Sequence, residues 1–145
     1  METPVLSKPT CRTVRPGPEF VGKQALSYSP GISAVSVGAQ RLHLQVMRMP
    51  PGARAKAHKH RSHETAIYVL SGAAGMWFGE RLEQHLVTKA GEYVYIPADV
   101  PHLPYNLSQS ESCEAVIART DPNEQESVVL LPELDSFTPD FIVPD

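Results

Sequence analysis

The sequence predicts an all-β domain, built as a sandwich or a barrel. Short β-rich segments recur at regular spacing along the 145 residues, and turn residues separate them. The 14 prolines and 9 glycines supply these turns, and no long segment shows the 3.6-residue apolar period of an amphipathic helix. A single domain is expected, because one hydrophobic core commonly serves a chain of roughly 100 to 200 residues.

The strands can be placed in order along the chain. From Arg41 to Met47, apolar residues at 42, 44 and 46 alternate with other residues, which predicts a half-buried strand that stops at Pro50. The more polar face of this strand either lines the mouth of the barrel or lies in water, since parity alone does not distinguish the two. Further strands are predicted at 64–70, 73–78, 82–87, 92–96, 114–119 and 128–131, with a hairpin turn at 79–81.

Composition divides the chain into three parts. Residues 1–30 are rich in Pro, Ser, Gly and Thr and are predicted to form an N-terminal arm or edge-strand segment, and residues 31–120 form the barrel. Residues 121–145 carry seven acidic residues and no Lys or Arg, a formal charge of −7, against +4 (13 minus 9) for the rest. Acidic ends are usually solvated. The alternative is that this C-terminal extension packs on the more basic barrel, and we adopt this alternative in dividing the chain.

Charge and cysteine content exclude several classes of protein. The net charge is −3, so no basic field is present to hold a nucleic acid. Cys11 and Cys113 are the only cysteines, too few for a disulfide scaffold and without C-x-x-C spacing. The first residues contain no continuous apolar segment, and no apolar run approaches the roughly 20 residues that span a bilayer. We therefore expect a cytoplasmic protein that binds neither nucleic acid nor membrane.

Three of the six histidines lie between positions 58 and 63. His58 and His60 are two residues apart, so on an extended chain their side chains leave the same face and can meet one metal ion. His63 follows closely, and His102 lies about forty residues further on. Two or more ligands from one segment and another from a distant strand are typical of metal sites in β-folds. The alternative is a solvated basic loop, because three Lys and Arg residues lie between 56 and 61.

Two long motifs in this region resemble the conserved motifs of the cupin superfamily. Where the family pattern has glycine in the second motif, this chain has Asp99, which tolerates the same tight turn. The resemblance extends over residues 41–119 and implies a cupin jelly roll, that is, a double-stranded β-helix barrel with a metal at its centre. The first motif consists of Gly52, His58, His60, Glu64 and Gly72, and the second of Gly91, Pro97, His102 and Asn106.

The fourth ligand depends on how the family pattern is aligned with the chain. Counted forward from Gly52, the family glutamate falls on Glu64, but counted backward from Gly72 it falls on Thr65. The second register makes the inner face of the strand apolar apart from its first residue, turns Glu64 outward and turns His63 inward. The predicted metal ligands are therefore His58, His60, His63 and His102, with Glu64 as the competing fourth ligand. His43 and His85 lack partners at ligand spacing and are predicted not to bind the metal.

A site of neutral imidazoles adds no ligand charge, so a bound ion acts as a stronger Lewis acid than one with a carboxylate ligand. Imidazole suits several divalent transition metals. Without a carboxylate, the site departs from the two-histidine, one-carboxylate arrangement of many oxygen-activating irons. Zn²⁺ is accordingly the first choice, and Fe²⁺, Ni²⁺ and Co²⁺ are the alternatives.

The length and several short runs are similar to small bacterial monocupins, among them cyclases of aromatic polyketide biosynthesis. This resemblance implies a metal-dependent polyketide cyclase that catalyses aldol-type ring closure on a polyketide or aromatic substrate, with no acid or base residue assigned. The alternatives are an iron-dependent dioxygenase acting on a small aromatic or β-diketone, and a non-catalytic small-molecule binding protein. A homodimer is also expected, since cupin barrels frequently pair edge strands across a two-fold axis.

Aromatic and soft side chains near the predicted site would suit a flat aromatic ligand. Each of them, taken singly, is more simply explained as barrel core. These side chains are Met76, Trp77, Phe78, Tyr93, Tyr95 and Tyr105.

Overall fold

The computed structural model describes residues 9–136, which form two antiparallel β-sheets and two short helices. The first half of this region contains β1 (Phe20–Val21), β2 (Ser27–Ile32), α1 (Ala34–Val37), β3 (His43–Met49), β4 (His58–His60) and β5 (Thr65–Ser71). The second half contains β6 (Ala73–Phe78), β7 (Gln84–Lys89), β8 (Tyr93–Ile96), β9 (His102–Asn106), β10 (Cys113–Arg119), β11 (Val128–Leu130) and α2 (Pro132–Asp135).

The strands are arranged as a jelly roll. One sheet has six strands in the order β1-β2-β3-β10-β5-β8, and the other has five in the order β11-β4-β9-β6-β7. The all-β prediction is confirmed. Strand β6 lies where it was predicted, and β7 begins two residues later because Leu82 takes a positive φ of 54° and is fully buried in the core. Strand β9 was not predicted, β4 was expected only as an extended segment, and residues 1–30, which contain β1 and most of β2, were predicted only as an arm or edge-strand segment. Prolines and glycines interrupt the alternation around β1, β2 and β9.

The face of β3 that is buried begins with two polar residues, His43 and Gln45. His43 and Gln45 are 1% and 3% exposed, whereas Leu42 is 69% exposed and Leu44 also faces outward. His43 Nε2 lies 2.9 Å from Gln45 Oε1, so this contact satisfies one nitrogen of the buried ring, whereas Nδ1 is buried without a partner. Alternation thus indicated a half-buried strand correctly, and packing decided which side of it faces the interior.

Inward-facing residues change from apolar to polar along the central strands of the six-stranded sheet. On β10 the inward positions run from Cys113 through Ile117 to Arg119, all of them buried. Arg119 lies opposite His43 of β3 and Thr65 of β5, so all three strands become polar at the same end. The barrel interior therefore has an apolar end that supplies packing and a polar end that is available for chemistry.

The apolar end is closed by buried side chains from both sheets. Full burial of a large apolar side chain contributes roughly 1.5 to 3 kcal/mol, so this core stabilises the barrel that holds the polar end in place. At the apolar end, one cluster includes Met47, Met49, Val69, Ala115 and Ile117. A second cluster, Ala57, Trp77, Leu82 and Leu103, lies on the face of the five-stranded sheet opposite His102 and is covered by Leu131 and Leu134, and a third consists of Met76, Val94 and Ile96.

A tight turn leads into β9. Asp99 has a φ of 63°, in the left-handed region where the family pattern places glycine, as the sequence predicted. Its backbone N–H donates to the carbonyl of His60 at 2.8 Å. The turn before His102 is thereby tied to the end of β4, which carries two of the predicted ligands.

The segment after β10 packs on the barrel over the range that the structure describes. Strand β11 pairs with β4, with Val128 opposite His60 and Leu130 opposite His58, and the backbone N–H of Ala57 donates to Asp135 at 2.6 Å. Residues 1–8 of the predicted arm and 137–145 of the predicted extension lie outside the described residues. Between residues 9 and 136, no helix has the length and apolar character that crossing a membrane requires.

Candidate metal centre

Three of the predicted ligands meet at the polar end of the barrel. His58 and His60 share a face of β4, and His102, the first residue of β9, is the cross-strand partner of His58. The ring centroids are 4.3 Å apart for His58 and His102, 4.7 Å for His60 and His102, and 5.1 Å for His58 and His60. All three side chains are buried, and one nitrogen from each lies close enough to the others for a common metal ion.

Hydrogen bonds on Nδ1 orient these rings. His58 donates through Nδ1 to the carbonyl of Lys56 at 2.6 Å, and His102 donates through Nδ1 to the carbonyl of Val100 at 2.9 Å. His60 Nδ1 lies 3.1 Å from Thr65 Oγ1. Histidines that bind metals typically use the second nitrogen in this way, which leaves Nε2 for the ion.

The His60 Nε2 atom is buried and has no hydrogen-bond partner. A buried nitrogen without a partner is uncommon in a folded protein, because an unsatisfied polar group costs free energy. A divalent ion would satisfy it, and imidazole nitrogens are suitable donors for Zn, Fe, Ni and Cu. The residues present therefore fit a transition-metal ion.

Burial keeps the three imidazoles neutral. It lowers the pKa of His60 from 6.5 to about 4, and it is also the largest cause of the lowered pKa of His58 and of His102, which falls well below 6.5. At neutral pH the rings therefore keep their lone pairs, as metal ligation requires.

His63, the fourth predicted ligand, belongs to a second group of potential donors. This group consists of His60, His63 and Glu126. The ring of His63 stacks on that of His60 with centroids 4.9 Å apart, and Glu126 Oε2 lies 2.9 Å from His63 Nε2 and 3.8 Å from His60 Nε2. The two groups have only His60 in common.

Glu126 is the residue at this site that sequence reasoning missed. It lies in the acidic segment before β11, where solvation was the usual expectation, and no motif marks it. Burial opposes its ionisation, but the hydrogen bond with His63 and the proximity of His60 and Arg119 lower the pKa of Glu126 to about 2. A buried, ionised carboxylate therefore lies beside the imidazoles at neutral pH.

Glu64 and Thr65 lie as the register counted from Gly72 predicts. Thr65 is 3% exposed and faces His60, whereas Glu64 is exposed and its carboxylate accepts a hydrogen bond from the Tyr95 hydroxyl at 2.6 Å. Glu64, the competing fourth ligand, thus points away from the imidazoles, because neighbouring residues on a strand face opposite sides of the sheet.

Within residues 9–136, His43 and His85 belong to neither group of potential ligands. His43 pairs with Gln45, and His85 Nε2 lies 2.8 Å from the Tyr105 hydroxyl. That neither of them binds the metal stays a prediction.

A cavity of about 390 Å³ is lined by residues of strands that pair with the strands of the site, and none of the described histidines belongs to its lining. It is lined by Met76, Phe78, Leu86 and Ile96, among others. Phe78 is the cross-strand partner of His102, and Ile96 is the partner of Thr65. The cavity wall and the imidazoles are therefore held by the same strand pairs.

The aromatic residues named from the sequence are divided between three environments. Met76, Phe78 and Tyr95 line the cavity, whereas Trp77 is buried in the core with Leu103 and Tyr105 packs against the same cluster. Tyr93 is 77% exposed. Only part of the aromatic set is thus available to a ligand.

Comparison with known proteins agrees with this architecture. The family model described as a cupin domain matches residues 45–118, about half of the chain. No curated protein has a sequence that matches this chain significantly.

Several solved structures share the fold. A Lactobacillus farciminis oxalate decarboxylase in its formate complex has a TM-score of 0.64 and 18% identity, over 81% of this chain and 33% of that chain. A Bacillus subtilis oxalate decarboxylase described for its Mn(II) centres has a TM-score of 0.66 and 18% identity, over 79% and 30%. A recombinant oxalate oxidase in complex with glycolate has a TM-score of 0.61 and 16% identity, over 74% and 56%.

The chain thus spans about a third of the decarboxylases and just over half of the oxidase, and at these identities the similarity concerns the fold alone. The jelly roll, the three converging histidines and the match of the family model over residues 45–118 lead to one conclusion, which is that this chain belongs to the cupin family.

Proposed function

We propose that the protein is a metal-dependent enzyme that acts on a small, largely apolar carbonyl compound. The observation that carries the proposal is the buried, unpartnered Nε2 of His60, which lies among imidazoles that burial keeps neutral. His58, His60 and His102 would hold the ion, and His63 lies beside His60. That all four histidines bind the ion stays a prediction, and His58, His60 and His102 are its best-supported members.

The reaction we propose is the ring closure of a linear polyketide. When bound, a divalent ion supplies Lewis-acid polarisation of a carbonyl oxygen. The chain would contribute a site for the folded substrate, because Met76, Phe78 and Leu86 form an apolar wall that packs against a carbon chain. Holding the reacting carbons close together lowers the entropic cost of closure, and the same wall limits the access of water.

The charge around the cavity distinguishes this substrate class from oxalate, which the similar solved structures are named for. Glu80 and Glu83 belong to the cavity lining, and none of the described residues that line it is Lys, Arg or His. The buried cation Arg119 already binds the carbonyl oxygens of Asp121 and Glu124. A lining with two carboxylates and no cationic side chain disfavours a dianion, so a neutral carbonyl compound fits the cavity better.

A second candidate is an oxygen-dependent enzyme that uses iron or manganese. The observation in its favour is the carboxylate of Glu126 beside the histidines, since carboxylate donors are typical of these metals. The polyketide cyclase needs no oxygen, so an assay under anaerobic conditions separates the two. If no metal supports turnover but a small molecule stays bound, the third alternative applies, a non-catalytic binding protein.

The proposed function is tested with the purified protein and a synthetic linear β-polyketone. Elemental analysis identifies the metal, with Zn²⁺ expected first. We expect His60→Ala to lose both bound metal and cyclised product, because it removes the nitrogen common to both donor groups. His85→Asn is the matched control, since it alters a histidine outside the site and should keep both. Cyclisation that persists in a metal-free His60→Ala protein would contradict the proposal.

The homodimer stays a prediction of the sequence. The outer face of the six-stranded sheet has exposed apolar side chains, including Leu44 and Val46, that a second copy of the chain would cover. Size-exclusion chromatography with light scattering is the measurement, and a monomer across a range of concentrations would contradict the prediction.

A further inference from the structure

The segment between β10 and β11 places a buried carboxylate against the histidine cluster. Glu126 is 9% exposed, and the following strand β11 is hydrogen-bonded to β4, which carries His58 and His60. Glu126 lies outside residues 45–118, the part of the chain that matches the family model. We infer that Glu126, and not His63, is the fourth ligand of the ion held by His58, His60 and His102.

The two donor groups describe one ion rather than two. They share His60, and its Nδ1 faces Thr65 Oγ1 at 3.1 Å, so Nε2 is the only nitrogen left for a metal. One nitrogen lone pair binds one ion. The site therefore holds one ion at a time, and Glu126 joins His58 and His102 on that ion only if its side chain moves toward them.

The distance between His60 and Glu126 fits two ligands of one ion. Metal–ligand bonds to imidazole nitrogen and carboxylate oxygen are about 2.0–2.2 Å, so two such atoms on one ion lie at most roughly 4.3 Å apart. The observed separation of His60 Nε2 and Glu126 Oε2 is 3.8 Å. These two atoms can therefore bind one ion as they stand, whereas, within the described part of the chain, Glu126 shares no group of close donor atoms with His58 or His102, so its carboxylate has to move toward them.

The hydrogen bonds around Glu126 and His63 explain why the carboxylate is the better ligand. His63 Nε2 donates to Glu126 at 2.9 Å, and Nδ1 lies 3.2 Å from the carbonyl oxygen of Arg61, to which a neutral ring cannot donate at the same time. His63 would have to break one of these contacts to bind an ion. Glu126 accepts one bond at Oε1, from Gln24 at 3.2 Å, and one at Oε2. Since a carboxylate has about four lone-pair positions, it can bind an ion and keep both contacts.

His63 is then a positioning residue that holds Glu126 toward His60. Arg119 assists, with Nε 3.6 Å from Glu126 Oε2. The resulting donor set is three imidazoles and one carboxylate. Glu126 would thus supply the carboxylate that neither Glu64 nor Thr65 provides, from a segment that sequence motifs do not cover.

The test measures the binding of Zn²⁺ and Co²⁺, and it rests on the proposed function because it requires that the wild-type protein binds a metal. Affinity is obtained by competition with a chromophoric chelator, and Co²⁺ absorption reports the ligand set. We expect Glu126→Gln to weaken affinity more than about 100-fold and to change the Co²⁺ spectrum. We expect His63→Gln to weaken affinity by about 10- to 100-fold, as for partners outside the ligand set, with the Co²⁺ spectrum retained.

Glu64→Gln is the matched control, since it removes an exposed carboxylate of the first motif and should leave both readouts unchanged. If Glu126→Gln does not fold, infrared spectra of the wild-type protein replace it, because coordination shifts the carboxylate stretching bands when Zn²⁺ is added. Wild-type affinity and spectrum in Glu126→Gln, or no infrared shift, would overturn this inference alone. Failure of the wild-type protein to bind any tested metal would overturn the proposed function as well.

Discussion

Thr65 Oγ1 lies 3.1 Å from His60 Nδ1, and this contact joins the first residue of β5 to the last residue of β4. Both side chains are buried, at 3% and 4% exposure. Thr65 occupies the inward position where one alignment of the family motif places a glutamate. A hydroxyl at this position orients the imidazole through its second nitrogen, so we assign Thr65 a positioning role for His60.

The first prediction concerns this hydroxyl. Thr65→Val keeps the shape of the side chain but leaves His60 Nδ1 without a partner, and we expect Zn²⁺ affinity to fall about 10- to 100-fold. Thr65→Ser, which restores the hydroxyl, should recover most of the affinity in the same chelator competition. Equal affinities for wild type and Thr65→Val would show that the hydroxyl does not orient the ring.

The second prediction concerns stability at alkaline pH. Burial and the negative charge of Glu126 raise the pKa of Tyr28 well above 10, against smaller opposing effects of Gln24 and Arg119. The folded protein therefore keeps the Tyr28 proton at a pH where the unfolded chain loses it. Stability from this group is fully present below pH 10 and is lost as the pH rises further. Burial likewise raises the pKa of the Cys113 thiol above 9, so this group acts in the same direction from pH 9 upward.

Thermal unfolding between pH 7 and 11 measures this effect. We expect the unfolding temperature to decline above pH 9 and more steeply above pH 10. Tyr28→Phe should flatten the decline above pH 10, although it also lowers stability at pH 7 because the contact with Gln24 is lost. An unchanged slope in Tyr28→Phe would exclude Tyr28 as the source.

The third prediction concerns the core behind β9. Leu103 is 1% exposed and packs with Ala57, Trp77 and Leu82, so Leu103→Ala should lower the free energy of unfolding by about 2–5 kcal/mol. Leu42→Ala removes the same atoms from a side chain that is 69% exposed, and it should change stability by no more than about 0.5 kcal/mol. Urea denaturation of both variants measures the difference, and similar losses would contradict the assignment of Leu103 as a core residue and of Leu42 as an exposed one.

The fourth prediction separates backbone strain from steric overlap at two glycines. Gly72 and Gly91 have φ values of 77° and 89°, so alanine at either position should cost about 1–2 kcal/mol. A Cβ at Gly72 would also lie 2.7 Å from the carbonyl oxygen of Ser112, whereas nothing lies within 4 Å of one at Gly91. We therefore expect Gly72→Ala to be clearly less stable than Gly91→Ala in the same denaturation assay, and the reverse order would refute the close approach at Ser112.

Much of the fold could be predicted because its information is local. Apolar alternation and turn residues placed β6, β10 and β11 to within one or two residues. The positive φ of Asp99 likewise follows from a residue type that tolerates the turn. Strand β9 escaped prediction, and most of β2 was expected only as part of an arm or edge-strand segment, because Pro104 and Pro30 lie inside them and only pairing with neighbouring strands keeps these segments extended.

The candidate site likewise combines features that the local sequence determines with a feature that only the tertiary structure determines. The spacing of His58 and His60, and the opposite orientations of Glu64 and Thr65, are properties of a single strand, and the sequence determines them alone. Packing decides which of the two faces the interior. The approach of Glu126 to His60 is a contact between residues far apart in the chain. It depends on the pairing of β11 with β4 and on the buried hydrogen bonds that hold the carboxylate. No local pattern encodes such a contact, so only the tertiary structure decided which carboxylate lies beside the histidines.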